Sequence, residues 1–189
     1  MPLEEIKSIV RNRRIPYMRT TSLKLESVKD LLIAELRDLH SAEEQPVEAL
    51  PKMAEAASST ELKNAFNHHL EETRKHVTRL DDAFESLGEK ASGETCEAMK
   101  GLVKEGEEFI KAKGQPDVRY ARLIGAAQRV EHYEMARYGT ARTLAKRLGM
   151  NDIAEALQKT LEEEQVADEK LTTVTESDVN ATATRVAAK

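Results

Sequence analysis

Two glutamates, Glu131 and Glu134, stand three residues apart in the stretch AAQRVEHYEMARYGT. They lie among apolar residues such as Val130 and Tyr138, and a spacing of three places both carboxylates on one side of a helix. Carboxylates there either meet solvent or point inward, where each must be protonated, ion-paired or bound to a cation. The stretch therefore raises the question of a cation site inside a helical protein.

An internal repeat supplies further acids of this kind. With the chain shifted by 91 residues, its two halves overlay without a gap, Glu43 on Glu134 and Glu72 on Glu163. Folding each half as a hairpin brings Glu43 level with Glu72, and Glu134 level with Glu163. One carboxylate from each of four helices would then meet at mid-bundle. Two divalent metals ~3.5–4 Å apart, bridged by carboxylates, are the known solution to such an arrangement.

The elements that position these acids have the pattern of long amphipathic helices. Ser27 precedes a first helix with a 3.6-residue apolar period. Pro46 and Pro51 fall inside this pattern, so a kink or break is expected after Glu43. Ser58 is expected to cap the second helix, because a glutamate three residues later completes a capping box.

Glycines punctuate the rest of the chain. The second helix is expected to end at Gly88, and a shorter helix to cover about residues 94–113. A third long helix closes at Gly149, and Asn151 is expected to cap a fourth. No segment alternates as a strand would. The predicted fold is all-α: a ferritin-like four-helix bundle of two helical hairpins, joined by a crossover that carries the extra short helix.

Composition narrows the class of protein. The chain has 189 residues, of which 33% are charged and 40% hydrophobic, a profile typical of one helix-rich domain. The single cysteine, Cys96, allows no internal disulfide framework and suits a reducing compartment. No apolar run approaches the ~18–20 residues of a membrane span, and the N-terminus lacks the apolar segment of a signal peptide. A cytoplasmic protein without a membrane partner is expected.

The two ends of the chain differ in charge and composition from the residues between them. Residues 1–24 hold six basic residues against two acidic ones, whereas the whole chain has a net charge of −5. We expect residues 1–26 to form a flexible basic arm, 27–174 the bundle and 175–189 a disordered tail. Nucleic acid is not expected as a partner except through the arm 1–24, because the acidic body would repel phosphates.

Several strings resemble the YciF-type family of ferritin-like bacterial stress proteins: HLEETRKHVTRLDDAFESLG, CEAMKGL, AAQRVEHYEMARYGTARTLAKRLG and TLEEEQVADEKLT. The resemblance spans roughly residues 27–173, and QRVEHYE…YGT is its most specific part. It implies a bundle similar to that of rubrerythrin, a homodimer and a dinuclear metal motif. Carried onto this sequence, the motif falls on carboxylates of all four long helices: Glu43, Glu72, Glu131, Glu134 and either Glu163 or Glu164.

The histidines depart from the wider ferritin-like pattern. That pattern asks for Glu-x-x-His on the second and fourth helices, but Lys75 and Val166 stand at those places. His76, one position late, is the candidate ligand, with His69, one turn earlier, as the alternative. Such an oxygen-rich site suits Mn²⁺ or Fe³⁺ over softer metals. Three further side chains are candidates for supporting groups near the site: His40, Tyr133 and Tyr138. For the two tyrosines, the alternative is a place in the core with only the hydroxyl in polar surroundings.

The sequence leaves two functions open. The first is a stress-response protein whose carboxylate-bridged pair of iron or manganese ions handles peroxide or iron in oxidase- or peroxidase-like chemistry. The second is a non-enzymatic helical stress protein that acts through dimerisation without bound metal. In that second case the bundle acids would pair with basic residues of the same bundle, namely Arg79, Arg129 or Lys75.

Overall fold

The computed structural model describes residues 25–57, 59–91 and 95–176, with the side chains of 116 and 117 outside the description. These residues form five helices and no strand: α1 (Val28–Ala56), α2 (Thr60–Leu87), α3 (Glu97–Lys111), α4 (Pro116–Arg147) and α5 (Asn151–Val174). The predicted all-α architecture of four long helices and one short crossover helix is confirmed. Residues 1–24 and 177–189, which hold most of the predicted arm and tail, lie outside the described part.

Two hairpins build the bundle. Short connections join α1 to α2 and α4 to α5, so each pair runs antiparallel and packs along its length. Across the bundle α1 packs on α4 and α2 packs on α5, while α3 lies outside against α1 and α4. Within the described residues no helix is both long and apolar enough to cross a membrane.

The residues that cap the first two helices agree only in part with those predicted from the sequence. Ser27 caps α1, since its hydroxyl accepts a hydrogen bond from the Asp30 amide at 3.1 Å. The cap of α2 is Ser59, whose hydroxyl accepts from the Leu62 amide, so the expected capping role of Ser58 is wrong. Ser58 itself lies outside the described residues.

The turn between α4 and α5 follows from one glycine. Gly149 has φ 72°, a left-handed conformation that glycine adopts without steric cost. The Met150 amide donates to the Ala145 carbonyl at 3.0 Å and the Gly149 amide to Lys146, which together close α4 as a Schellman motif. The chain enters α5 at once, so Asn151 is already its first residue and does not cap it as expected.

The two prolines do not break α1. The helix is continuous over Val28–Ala56 with Pro46 and Pro51 inside it, so the break expected after Glu43 is wrong. Each proline removes one backbone hydrogen bond. The apolar face on both sides of the prolines, from Leu39 to Met53, is nevertheless buried against other helices, and only a continuous helix keeps both halves of it packed.

The core between the four long helices is divided into two apolar clusters with a polar layer between them, while a third, smaller cluster (Ala42, Cys96 and Met99) packs the start of α3 on the bundle. One cluster includes Leu36, Phe84 and Leu157, and the other includes Leu50, Phe66 and Leu171. The layer between them consists of buried polar side chains from all four long helices: Glu43, His69, Thr73, His76, Glu131, Glu134, Thr160 and Glu164. Apolar packing on both sides therefore fixes the helices at the level where the polar groups meet.

Candidate metal centre

Six side chains of the polar layer form two adjoining groups of metal-binding geometry. The first group is His69, Glu131, Glu134 and Glu164, and the second is Glu43, His76 and Glu164. Within each group the ligand atoms all lie within 4.8 Å of one another. Glu164 belongs to both, so its two oxygens can reach two neighbouring positions. We call these six residues the cluster.

Helical spacing explains how the cluster is assembled. His69 and His76 are seven residues apart on α2, which is two turns, so both face the bundle axis. Glu131 and Glu134 share one face of α4 by their spacing of three. On α5, Glu164 stands seven residues from both Leu157 and Leu171, which are core residues, and so lies on the same buried stripe.

His76 presents one ring nitrogen to the cluster and the other to an outer carboxylate. Its Nδ1 lies 2.9 Å from Glu164 Oε1 and 3.4 Å from Glu43 Oε1. Its Nε2 lies 2.9 Å from Glu163 Oε2. Arg79 donates to both oxygens of Glu163, to Oε1 at 3.0 Å. Glu163 is thereby fixed in place and in turn orients the His76 ring.

His69 presents the other ring nitrogen, Nε2, to the cluster. Its Nε2 lies 3.2 Å from Glu131 Oε2 and 3.6 Å from Glu164 Oε2, so this nitrogen faces the cluster. Its Nδ1 points outward, 3.7 Å from Glu72 Oε2. Glu72 also contacts His68, whose Nδ1 lies 3.0 Å from the same oxygen. Each cluster histidine thus has a partly exposed glutamate behind it.

Tyr138 fixes the remaining edge of the cluster. It is fully buried, and its hydroxyl donates a hydrogen bond to Glu43 Oε1 at 2.5 Å. Burial raises the pKa of Tyr138 well above its usual value, and the negative charge of Glu43 raises it further, so the phenol keeps its proton. Glu43 therefore has one oxygen held by Tyr138 and one left over.

The cluster has unused ligand atoms. Seven buried side-chain atoms in it make no hydrogen bond of good geometry: Glu43 Oε2, His69 Nδ1, His76 Nδ1, Glu131 Oε2, Glu134 Oε1 and both oxygens of Glu164. Some of them lie close to one another all the same, since His76 Nδ1 is 2.9 Å from Glu164 Oε1 and Glu131 Oε2 is 3.2 Å from His69 Nε2. A buried polar atom left without a partner costs ~1–3 kcal/mol. Among the described residues, no lysine or arginine forms an ion pair with any of the four cluster carboxylates. Four carboxylates and two imidazoles are the donor set that iron and manganese accept, and two divalent cations would balance the four negative charges.

The pKa values show how strongly the cluster needs positive charge. Burial raises the pKa of Glu134 well above its usual value, and the charges of Glu43, Glu164 and Glu131 raise it further. Burial likewise raises the pKa of Glu43, and that of Glu164 to about 7. Without metal, protons must therefore occupy part of the space between these oxygens.

For the two cluster histidines, burial and the neighbouring carboxylates act on the pKa in opposite directions. Burial by itself lowers the pKa of His76, but the neighbouring carboxylates of Glu164 and Glu43 outweigh it and raise the pKa to about 10. For His69, burial is again outweighed, chiefly by the charge of Glu131, and the pKa lies well above its usual value. Both imidazoles hold protons that a bound cation would displace.

The structure brings five of the seven residues predicted from the sequence into the cluster: Glu43, His76, Glu131, Glu134 and Glu164. The other two, Glu72 and Glu163, lie outside both groups, with 20% and 24% of their side chains exposed, and contact the histidines from behind. His69, weighed in the sequence as an alternative to His76, joins the cluster together with it. The heptad spacing from His69 to His76 is the signal for both.

Of the three candidate supporting residues, Tyr138 contacts the cluster, whereas His40 and Tyr133 have other partners. Tyr138 contacts the cluster as expected, whereas His40 turns away toward Asp81, 3.0 Å from its Nε2. Tyr133 belongs to a separate network, in which its hydroxyl donates to Asp38 at 2.6 Å and lies 3.1 Å from the buried Cys96 Sγ. This network ties the start of α3 to α1 and α4, so it positions the crossover helix.

The basic residues proposed to neutralise the bundle acids also have other partners. Arg79 pairs with Glu163, outside the cluster, and Arg129 pairs with Glu105 of α3 at 3.2 Å. Lys75 is exposed on α2. None of the three compensates the cluster carboxylates.

Comparison with known proteins places this chain among described relatives. Residues 27–184 match the family described as "Domain of unknown function (DUF892)". The chain is 44% identical over 159 residues to protein YciF of Escherichia coli (strain K12), which covers 84% of this chain and 96% of that protein.

Solved structures agree with the sequence comparison. The crystal structure of the E. coli stress protein YciF matches with a TM-score of 0.79 at 44% identity, over 82% of this chain and 99% of that chain. YcfI from Rhodopseudomonas palustris matches with 0.78 at 44% identity, over 82% and 98%. A ferritin-like, diiron-carboxylate protein from Bacillus anthracis str. Ames matches with 0.61 at 19% identity, over 80% and 99%, which shows that the two share the ferritin-like fold.

Proposed function

The chain belongs to the YciF-type (DUF892) family, and from this premise we propose that it is a stress-response protein with a carboxylate-bridged dinuclear metal site. The proposed metals are iron or manganese. The observation that carries the proposal is the convergence of four buried carboxylates and two imidazoles in one cluster, where most ligand atoms make no hydrogen bond of good geometry and no lysine or arginine is paired with the acids. Unsatisfied groups in such number are costly unless a ligand uses them.

Each cluster residue has a role in the proposed site. One position is held by Glu43, His76 and Glu164, and the other by His69, Glu131, Glu134 and Glu164. Glu164 is the proposed bridge because it belongs to both groups. Outside them, Glu163 and Glu72 keep the imidazoles in the orientation and tautomer that binding requires.

The proposed activity is oxidase- or peroxidase-like handling of iron or peroxide. Two bound ferrous ions would supply the two electrons that, with two protons, reduce one molecule of hydrogen peroxide to two molecules of water. Tyr138 and the two imidazoles are the protonated groups nearest to the carboxylates. The imidazoles lose their cluster-facing protons when metal binds and Tyr138 keeps its own, so the two protons would come from solvent.

Thermal unfolding of the purified full chain tests the metal site. Addition of Mn²⁺ or Fe²⁺ should raise the melting temperature, since a ligand that binds only the folded chain stabilises it by mass action. Glu134→Ala should abolish this increment and, without metal, should melt no lower than the unaltered chain, because it removes one of several buried like charges.

Glu155→Ala is the matched control, because Glu155 is an exposed carboxylate on α5. It should keep the full metal-dependent increment and change the free energy of unfolding by less than ~0.5 kcal/mol. If neither metal raises the melting temperature of the unaltered chain, the result contradicts the proposal.

The second candidate function is a metal-free helical stress protein that acts as a homodimer. One observation favours it: both cluster histidines already lie beside carboxylates, so their protons offset part of the negative charge. In that case Glu134→Ala would raise the melting temperature whether or not metal is present. Analytical ultracentrifugation would show whether the chain forms the expected homodimer.

A further inference from the structure

A cavity of about 30 Å³ lies between α1, α3 and α4 and reaches the cluster. Its inner end is formed by His69 and Glu131. Its outer end is formed by Lys52 and Glu107, whose side chains pair at 2.9 Å and are 57% and 34% exposed. The cavity therefore extends from the molecular surface to one of the two proposed metal positions.

The wall between these ends is apolar. It consists mainly of aliphatic and thioether side chains: Leu50, Met53, Leu102, Val103, Ile110 and Val130. A water-sized molecule needs ~10–15 Å³ measured in this way, and cavities lined by such groups stay dry and bind small apolar molecules. The cavity thus has room for a diatomic gas, whereas an ion or a strongly polar solute would find no partners along it.

Gly106 on α3 keeps this cavity open. It is buried, and a Cβ built there would lie 3.9 Å from the Ala126 Cβ, an ordinary van der Waals contact. A methyl group therefore fits, but the outer atoms of any larger side chain would have to enter the cavity. Gly101, on the same helix, has nothing within 4 Å of a Cβ and is exposed.

A second cavity, of about 50 Å³, reaches the same two cluster residues from the side of α2 and α5. Its lining includes polar side chains, among them His68, Glu72 and Lys170. The cluster is therefore approached by two openings, of which the one beside Glu72 has the more polar lining, although apolar side chains such as Phe66 and Leu171 also line it.

We propose that the cavity between α1, α3 and α4 is a passage through which dioxygen reaches the His69–Glu131 end of the cluster, an inference that rests on the proposed metal function. Dioxygen is small and apolar, as this wall requires. Metal ions and hydrogen peroxide, which need polar partners, enter beside Glu72 instead.

Xenon-pressurised crystals of the full-length chain test the passage without reference to metal. Xenon, an apolar probe, should appear between Val103 and Gly106 in the unaltered chain and in the control Gly101→Leu. It should be lost in Gly106→Leu, and also in Val103→Phe, which fills the same space from one turn away should the first variant fail to fold. Absence of xenon from the unaltered chain, or its retention in both filled variants, would overturn the proposal.

Stopped-flow oxidation of the Fe²⁺-loaded chain tests the route itself. Gly106→Leu should slow oxidation by dioxygen several-fold and leave oxidation by hydrogen peroxide unchanged, while Gly101→Leu should match the unaltered chain with both oxidants. Equal rates with dioxygen in all three proteins would overturn the proposal. The metal content of each sample is measured alongside: a chain that binds no metal contradicts the proposed function, and the xenon result then decides the passage alone.

Discussion

His69 and His76 present opposite ring nitrogens to the cluster, Nε2 and Nδ1 respectively. The nitrogen that faces outward is set by a glutamate behind each ring, Glu72 for His69 and Glu163 for His76. The Glu163 contact is the stronger of the two, because it is shorter and because Arg79 holds the carboxylate from the other side. At the scale of single residues, these outer acids decide whether the imidazoles are preorganised for metal.

Replacing Glu163 should weaken metal binding without touching a proposed ligand. We expect Glu163→Ala to lower the affinity for Mn²⁺ by ~10–100-fold, the usual effect of losing the partner behind a ligand histidine. Glu163→Gln should retain most of the affinity, because its amide oxygen still accepts from His76 Nε2–H. Calorimetric titration of the purified chain measures both.

Glu162→Ala is the control for this pair of variants. Glu162 is exposed on the same turn of α5, and its carboxylate accepts a hydrogen bond only from the side chain of Gln158 among the described residues. It should bind metal as the unaltered chain does. Unchanged affinity in Glu163→Ala would contradict the positioning role.

The metal-free chain should lose stability as the pH rises from about 4.5 to about 10. The pKa of Glu164 is about 7 in the fold against 4.5 in the unfolded chain, so the stability contributed by its protonated form is complete below about 4.5 and lost through about 7. The pKa of His76, raised from 6.5 to about 10, adds a loss of the same sign above about 6.5. The total is on the order of a few kcal/mol.

Thermal melts in the presence of a chelator, at pH values across this interval, check the expectation. Glu164→Gln should make the profile flatter, because an amide does not titrate. A melting temperature that is constant or rises with pH would contradict it.

At the scale of helices, the turn at Gly149 offers a matched pair of substitutions. Gly149→Ala should destabilise the chain by ~1 kcal/mol, because the left-handed φ of 72° crowds a Cβ. Gly139→Ala, inside α4 with nothing within 4 Å of the new methyl, should stabilise it by up to ~1 kcal/mol through helix propensity. Urea unfolding measures both, and equal effects of the two would contradict the proposed role of the turn.

Sequence periodicity predicts which helices form and how deep each acid lies, because both depend on counting along the chain. The repeat of 91 residues correctly places Glu43 opposite Glu134 in the layer. It also pairs Glu72 with Glu163, and the structure places both outside the cluster, with Glu164 inside it instead. Glu163 and Glu164 differ by about 100° of rotation around α5 rather than in depth, which the repeat does not resolve. The buried face of α5 from Leu157 to Leu171 includes Glu164 and not Glu163. The sequence alone does not show which face of α5 the other helices cover.

Other features of the helices depend on contacts that one helix does not contain. The continuity of α1 through Pro46 and Pro51 is set by packing on α2, α3 and α4. The orientation of His40 is set by Asp81 on the neighbouring helix. Such tertiary effects outweigh local signals, so neither was predicted from the sequence.

At the scale of the whole molecule, the two apolar clusters hold four helices rigidly enough to keep four carboxylates together. The cost of that arrangement in the metal-free chain is the reason to expect a ligand. The family resemblance and the ferritin-like fold were both predicted from the sequence, and the related structures confirm both. The homodimer, and contact of the basic arm with nucleic acid, stay predictions.

Anomalous diffraction from crystals of the full-length chain grown with Mn²⁺ or Fe²⁺ tests the central claim most directly. Data collected at the absorption edge of the added metal should show two peaks inside the bundle. One peak should lie among Glu43, His76 and Glu164, and the other among His69, Glu131, Glu134 and Glu164. A bundle without an anomalous peak at either position, or metal bound only at surface carboxylates, would contradict the proposed dinuclear site.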